Sequence, residues 1–190
     1  MKAAESRRRE RTGIEIMFER GDYIIYGSTG VCLIEDITVP EYFRSTGNEK
    51  LYYRLSPVFG TETIYTPVDT HVFMRPIITK EEAEDLIRRI PEIEEANFEG
   101  KDRRATAENY RISIEKHECE DLVRLIKTVY HKNQLLTESG KKPGQTDLQY
   151  LRQAETLLHG ELSVALGISI EEVPAYIGDF IMSTKSGETE

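Results

Sequence analysis

The chain has 190 residues, 31% of them charged and 38% hydrophobic, with a formal net charge of -9. That balance excludes a disordered or membrane-spanning chain, because its longest apolar runs fall far short of the roughly 20 residues needed to cross a bilayer. It also excludes bulk electrostatic attraction to nucleic acid, so any such contact has to be local or assisted.

At this length one domain or two small ones are both feasible. Cys32 and Cys119 have no CxxC spacing, and no secretory apolar segment precedes them, which predicts a reduced, cytoplasmic setting and no zinc site. Residues 1–17, "MKAAESRRRERTGIEIM", form a polar basic leader with Arg7, Arg8, Arg9 and Arg11. Composition favours a disordered leader, or a start upstream of a natural Met17, over a basic arm.

In "FERGDYIIYGSTGVCLIEDI", residues 18–37, a glycine-rich turn, Gly27 to Gly30, separates two runs of β-formers. A phosphate loop requires Lys and Ser or Thr directly after the last glycine, and a helix; Val31 to Ile34 is instead a strand. The turn is therefore read as a hairpin in which Gly27 and Gly30 supply positive φ angles. Further strands are expected at Ile37 to Pro40, in "KLYYRLSP" and in "ETIYTPV", with "HVFMRPI" closing the set or leading out of it. Short strands at this spacing predict a small, strongly bent antiparallel β barrel over residues 18–78.

At Thr79 the hydrophobic period changes. Thr79 and Glu82 match a capping box, and Ala83, Leu86, Ile87 and Ile90 recur at helical spacing until Pro91. The acidic run to Glu99 is a solvated face, and Gly100 marks a break. Ala107, Tyr110 and Ile114 line a second helix; Leu122, Leu125, Ile126, Val129 and Tyr130 line a third. After the loop "TESGKKPGQTD", Thr146 and Gln149 match a second capping box, for a helix burying Leu148, Leu151, Ala154, Leu158, Leu162 and Ala165 and ending at Gly167. Ser169 and Glu172 open a last short helix carrying Val173, Tyr176 and Ile177, with Pro174 at its second turn. Residues 79–182 thus read as an all-α bundle, and 183–190 as a loose polar tail. The fold class is α+β, a small barrel followed by a helical domain.

No catalytic constellation is present. His71, His117, His131 and His159 form no HExxH, no serine sits in a GxSxG elbow, and Cys119 stands beside acids that disfavour its thiolate. No enzyme, cofactor or metal is expected. Lys101, Arg103, Arg104, Arg111 and Lys116 gather at the entrance to the bundle. They either grip phosphates or form a solvated helix start with pairs such as Arg111 and Glu115. Lys141 and Lys142 make a second basic spot.

The opening F-x-x-G-D with its Y-x-x-x-G, the strand "IYTPVD", and "NYRISIEKHECEDLVRLIKTVY" followed by "YLRQAETLLHGELSVALGI" together resemble the CarD/CdnL family of bacterial RNA polymerase-binding transcription regulators. The resemblance spans about residues 18 to 178, and its first half is also similar to the polymerase-interacting module of the transcription-repair coupling factor. It implies a Tudor-like barrel docking on the RNA polymerase β subunit by strand addition, through Thr63, Ile64, Tyr65, Thr66 and Pro67. In the family an Arg stands two residues before this proline, where this chain has Tyr65.

The resemblance also implies promoter DNA contact near the upstream fork by Arg103, Arg104, Thr106, Arg111 and Lys116. Thr106 occupies the place of a wedging Trp, and the chain has no Trp. Once docked, weak phosphate contacts suffice, because the tether supplies an effective concentration that can reach roughly millimolar. The expected function is non-catalytic tuning of the open promoter complex, without membrane or small-molecule partner. The rival is a polymerase-docking adaptor whose helical domain binds another protein.

Overall fold

The computed structural model describes residues 17–41, 50–96 and 103–187. The chain divides into two compact units, Met1–Pro76 and Ile77–Glu190. The leader, part of the "RSTGNEK" loop, and the segment holding Glu99, Gly100 and Lys101 lie outside the described residues.

The first unit is one antiparallel sheet of β1 (Tyr23–Tyr26), β2 (Gly30–Thr38), β3 (Tyr52–Pro57), β4 (Ile64–Pro67) and β5 (Met74–Pro76). Their spatial order is β4-β3-β2-β1-β5. The glycine-rich stretch is the expected hairpin turn, a short 3-10 segment with Gly27 at φ 44 and Gly30 at φ 86. Gly27 serves twice: its amide donates to Phe73 O at 2.9 Å, and a Cβ there would stand 3.2 Å from Val72 Cγ1.

Alternation places Ile24, Cys32, Ile34, Tyr53 and Leu55 in the core of this unit. The opening motif proves architectural. Phe18 is buried edge-on to Tyr53, and the Met17 and Phe18 amides donate to the Tyr53 hydroxyl at 3.2 and 3.3 Å. Gly21 takes φ 95, and Asp22 closes the turn by accepting from the Glu19 amide at 2.7 Å. Burial, then the Glu62 charge, pushes the Cys32 thiol up to about 11, so it behaves as a core side chain.

The sheet is not a closed barrel. β4 pairs with β3 and β5 with β1, and among the described residues no ladder joins β4 to β5. Four-residue β4 and three-residue β5, each ending in proline, offer little backbone with which to close. Bending comes from β2, whose register slips at Glu35, between the pairs Ile34–Leu55 and Asp36–Arg54.

The second unit holds α1 (Lys80–Arg89), α2 (Arg103–Glu115), α3 (Cys119–Glu138), α4 (Gln145–Leu166) and α5 (Val173–Gly187). The Thr79–Glu82 capping box forms in both directions. α1 stops before Pro91, and Lys127 Nζ satisfies freed carbonyls there, donating to Ile90 O at 2.9 Å and to Ile93 O at 2.5 Å. Ala83, Ile87, Val129, Ala154, Leu162 and Val173 are fully buried in one cluster. Each of the larger of these side chains contributes about 1.5–3 kcal/mol by leaving water.

Three expectations need correction. α4 begins at Gln145 with Gly144 as its N-cap and no side-chain cap, so Thr146 is already helical and exposed. α5 is a full helix reaching Gly187, and Pro174 falls in its first turn, where a missing amide bends nothing. Tyr130 is 64% exposed; Val123 joins the core of α3 instead.

Candidate functional site

β4 lies at one edge of the sheet, and the hydrogen-bond pattern fixes which of its backbone groups are free. The Val68 amide donates to Leu51 O at 3.1 Å, and Thr66 and Ile64 continue that alternation opposite Tyr53 and Leu55. Thr63 and Tyr65 therefore direct their amides and carbonyls away from β3, whereas Pro67, in the same phase, has no amide and its carbonyl accepts from the Thr70 amide at 3.0 Å. Side chains follow the same period. Thr66 is buried at 3% exposure and Ile64 packs on the core, whereas Tyr65 is 48% exposed on the opposite face.

Tyr65 pairs across the ladder with Arg54 of β3. Because this is a non-hydrogen-bonded pair, the two side chains stand close together. Arg54 Nε lies 3.0 Å from Glu35 Oε2, the carboxylate of the bulge.

The five candidate DNA-contact positions separate. Arg104 is exposed near the start of α2, and the side chain of Arg103 lies outside the described residues. Thr106 is half-buried one turn before the buried Tyr110. Arg111 is held between two glutamates of its own helix, with Nε 3.0 Å from Glu108 Oε2 and a further bond to Glu115. Those bonds raise the Arg111 pKa and hold the Glu108 carboxyl below the usual carboxylate range. Lys116 reaches Asp121 at 2.9 Å. Of the two readings the sequence leaves open, these two cations follow the one with local ion pairs.

Lys116 also ends a chain of alternating charges that runs from Asp85 through Arg89, Glu120, Arg124 and Asp121, tying α1 to α3. Two acids of α4 escaped the sequence reading altogether. Asp147 is buried, accepting from the Tyr110 hydroxyl at 3.0 Å and from Lys132 Nζ at 2.8 Å. Glu161 is 1% exposed and accepts from the Ile78 amide at 3.0 Å and from Cys119 Sγ at 3.1 Å. The signal for Glu161 was its place in an apolar G-E-L-x-x-A-L run, where a solvated acid is out of character.

His131 Nδ1 lies 2.9 Å from Glu95 Oε2, a partner 36 residues away. Among the described residues no three His, Cys, Asp or Glu side chains converge on a metal position. No described helix is long and apolar enough to cross a membrane.

The small open antiparallel sheet holds the F-x-x-G-D turn and leaves the β4 edge exposed. Residues 18–78 match the family model described as CarD-like/TRCF RID domain, so the chain carries a CarD-like RNA polymerase-interacting domain. The match covers the first unit and stops at the entry to the second. No curated protein matches the chain.

Proposed function

We propose that this protein is a non-catalytic bacterial transcription regulator, acting in the cytoplasm, which docks on the β subunit of RNA polymerase by adding a polymerase strand to the β4 edge. The observation carrying this reading is the edge itself. Thr63 and Tyr65 aim free backbone donors and acceptors outward, inside a domain whose relatives interact with polymerase. Main-chain hydrogen bonds supply affinity in such an addition, and the exposed Tyr65 supplies a side-chain contact.

In this reading the helical unit then meets promoter DNA near the upstream fork and modulates open-complex stability. Arg103 and Arg104, on the first turn of α2, are the residues to reverse in charge. A shortened or lengthened open-complex lifetime supports the DNA contact; unchanged promoter occupancy and transcript output remove it. The adaptor reading is favoured by one specific observation. Arg111 and Lys116 are already engaged by carboxylates, which oppose an incoming phosphate.

The docking test is binding of the full chain to the isolated β-subunit lobe, with Tyr65→Glu alongside. Saturable binding weakened by the substitution is the expected result. Absence of binding at high concentration excludes the β lobe as the partner.

A further inference from the structure

The face of the sheet opposite the core carries, beside the β4 edge, a cross-strand row made of Asp36, Arg54 and Tyr65. Arg20 and Glu35 line one depression with Arg54, and Asp36 stands opposite it across the ladder. Asp36 turns its carboxylate back to the Ile37 amide at 2.9 Å, so it is engaged locally. Glu35 Oε2 lies 3.0 Å from Arg54 Nε, yet that buried nitrogen makes no hydrogen bond. Arg54 and Glu35 are both about one-third exposed, at 38% and 36% of their side-chain surfaces. A shallow depression of about 290 Å³, lined by Arg20, Leu33, Glu35 and Arg54, adjoins the row.

We infer that Arg54 is a specificity-determining residue of the β4 docking edge, selecting a partner strand that places an acidic side chain on the outer face beside Tyr65. This rests on the proposed strand addition. A strand added to β4 puts its residue opposite Tyr65 roughly 10 Å from Arg54, two strand spacings away. An arginine and a glutamate side chain together span that gap across the exposed Tyr65 ring. The guanidinium fork offers paired donors suited to a carboxylate, and Glu35 stands beside its Nε without a hydrogen bond. Glu35 also competes for the same cation. The two residues therefore act on partner affinity in opposite directions.

That opposition supplies the test. Titrating the isolated polymerase β lobe with full-length wild type, Arg54→Gln and Glu35→Gln should show weaker binding for Arg54→Gln, by about fivefold, and tighter binding for Glu35→Gln, by about twofold. Arg54→Gln should also flatten the dependence of affinity on salt, whereas Arg54→Lys should keep most of it. Melting curves of each variant guard against misfolding. If the wild type binds but both neutral variants leave affinity unchanged, or move it the same way, Arg54 is not a specificity residue and docking still stands. If the wild type fails to bind, docking and this role of Arg54 fall together.

Discussion

The Glu161 carboxylate, at the core of α4, accepts a hydrogen bond from the amide of Ile78, at the entry to the helical unit and 83 residues away in sequence, at 3.0 Å. Its other oxygen takes the Cys119 thiol at the first residue of α3, where the helix dipole also favours negative charge. One buried acid thus ties three chain segments. Truncating it orphans a buried donor and opens a cavity, so Glu161→Ala should cost about 2–4 kcal/mol. Glu161→Gln, which keeps an acceptor, should cost less. Urea unfolding followed by helical circular dichroism measures both; an unchanged midpoint for the alanine variant would mean the carboxylate contributes nothing net.

Tyr110 gives a pH prediction. Burial raises its phenol pKa above the ordinary 10.0, and the Asp147 charge and hydrogen bond raise it further. A folded-state pKa above the unfolded one favours the protonated form of the native state. The associated stability is complete below pH 10 and declines as pH rises beyond it. Tyr110→Phe should therefore be less stable than wild type at neutral pH and lose less on going to pH 11. Equal losses in the two proteins would place the alkaline sensitivity elsewhere.

The charge chain from Asp85 to Lys116 lies at the surface, so its individual links should be weak. Arg89→Ala or Glu120→Gln should lower the melting temperature only slightly at low salt and by less in molar salt. A drop of many degrees would show the network acting as a unit.

At the proposed docking edge, backbone and side chain can be separated. The Tyr65 amide points away from β3, so Tyr65→Pro removes an outward donor without breaking the ladder. Polymerase-lobe binding should fall by about tenfold or more, with thermal stability shifted little. A melting point many degrees lower would mean that the register is misread; unchanged binding would take the edge out of the docking surface.

Helix positions were readable because burial imposes a spacing. Ala83, Leu86 and Ile87, and then Ala154, Leu158 and Leu162, recur at the helical period and are buried in the structure. The Thr79 cap was readable because its residue types and backbone geometry agree. Thr146 and Gln149 had the types alone, and Gly144, two residues nearer the loop, took the cap. The hairpin at Gly27 was local and therefore legible, while the open sheet was not, since strand closure depends on non-local pairing. Asp147 and Glu161 stayed hidden because an acid in a helical run is ordinarily solvated. Their burial depends on Tyr110, Lys132, Ile78 and Cys119, which are far away in sequence. The Arg111 pairs with Glu108 and Glu115 were visible at i,i+3 and i,i+4 spacing, but sequence alone could not rank them against a phosphate. Residues 63–67 were singled out by resemblance; their place at a sheet edge follows from the strand order.

Proline at the end of both outer strands bears on self-association. Open-ended stacking of copies would have to use both edges of every molecule, β4 and β5, over and over. Pro67 lacks an outward amide, and β5 is three residues long and ends at Pro76. A tape built from such joints would be short of hydrogen bonds at every junction. The β4 edge can thus stay exposed, as the proposed strand addition requires, without becoming the seed of a fibre.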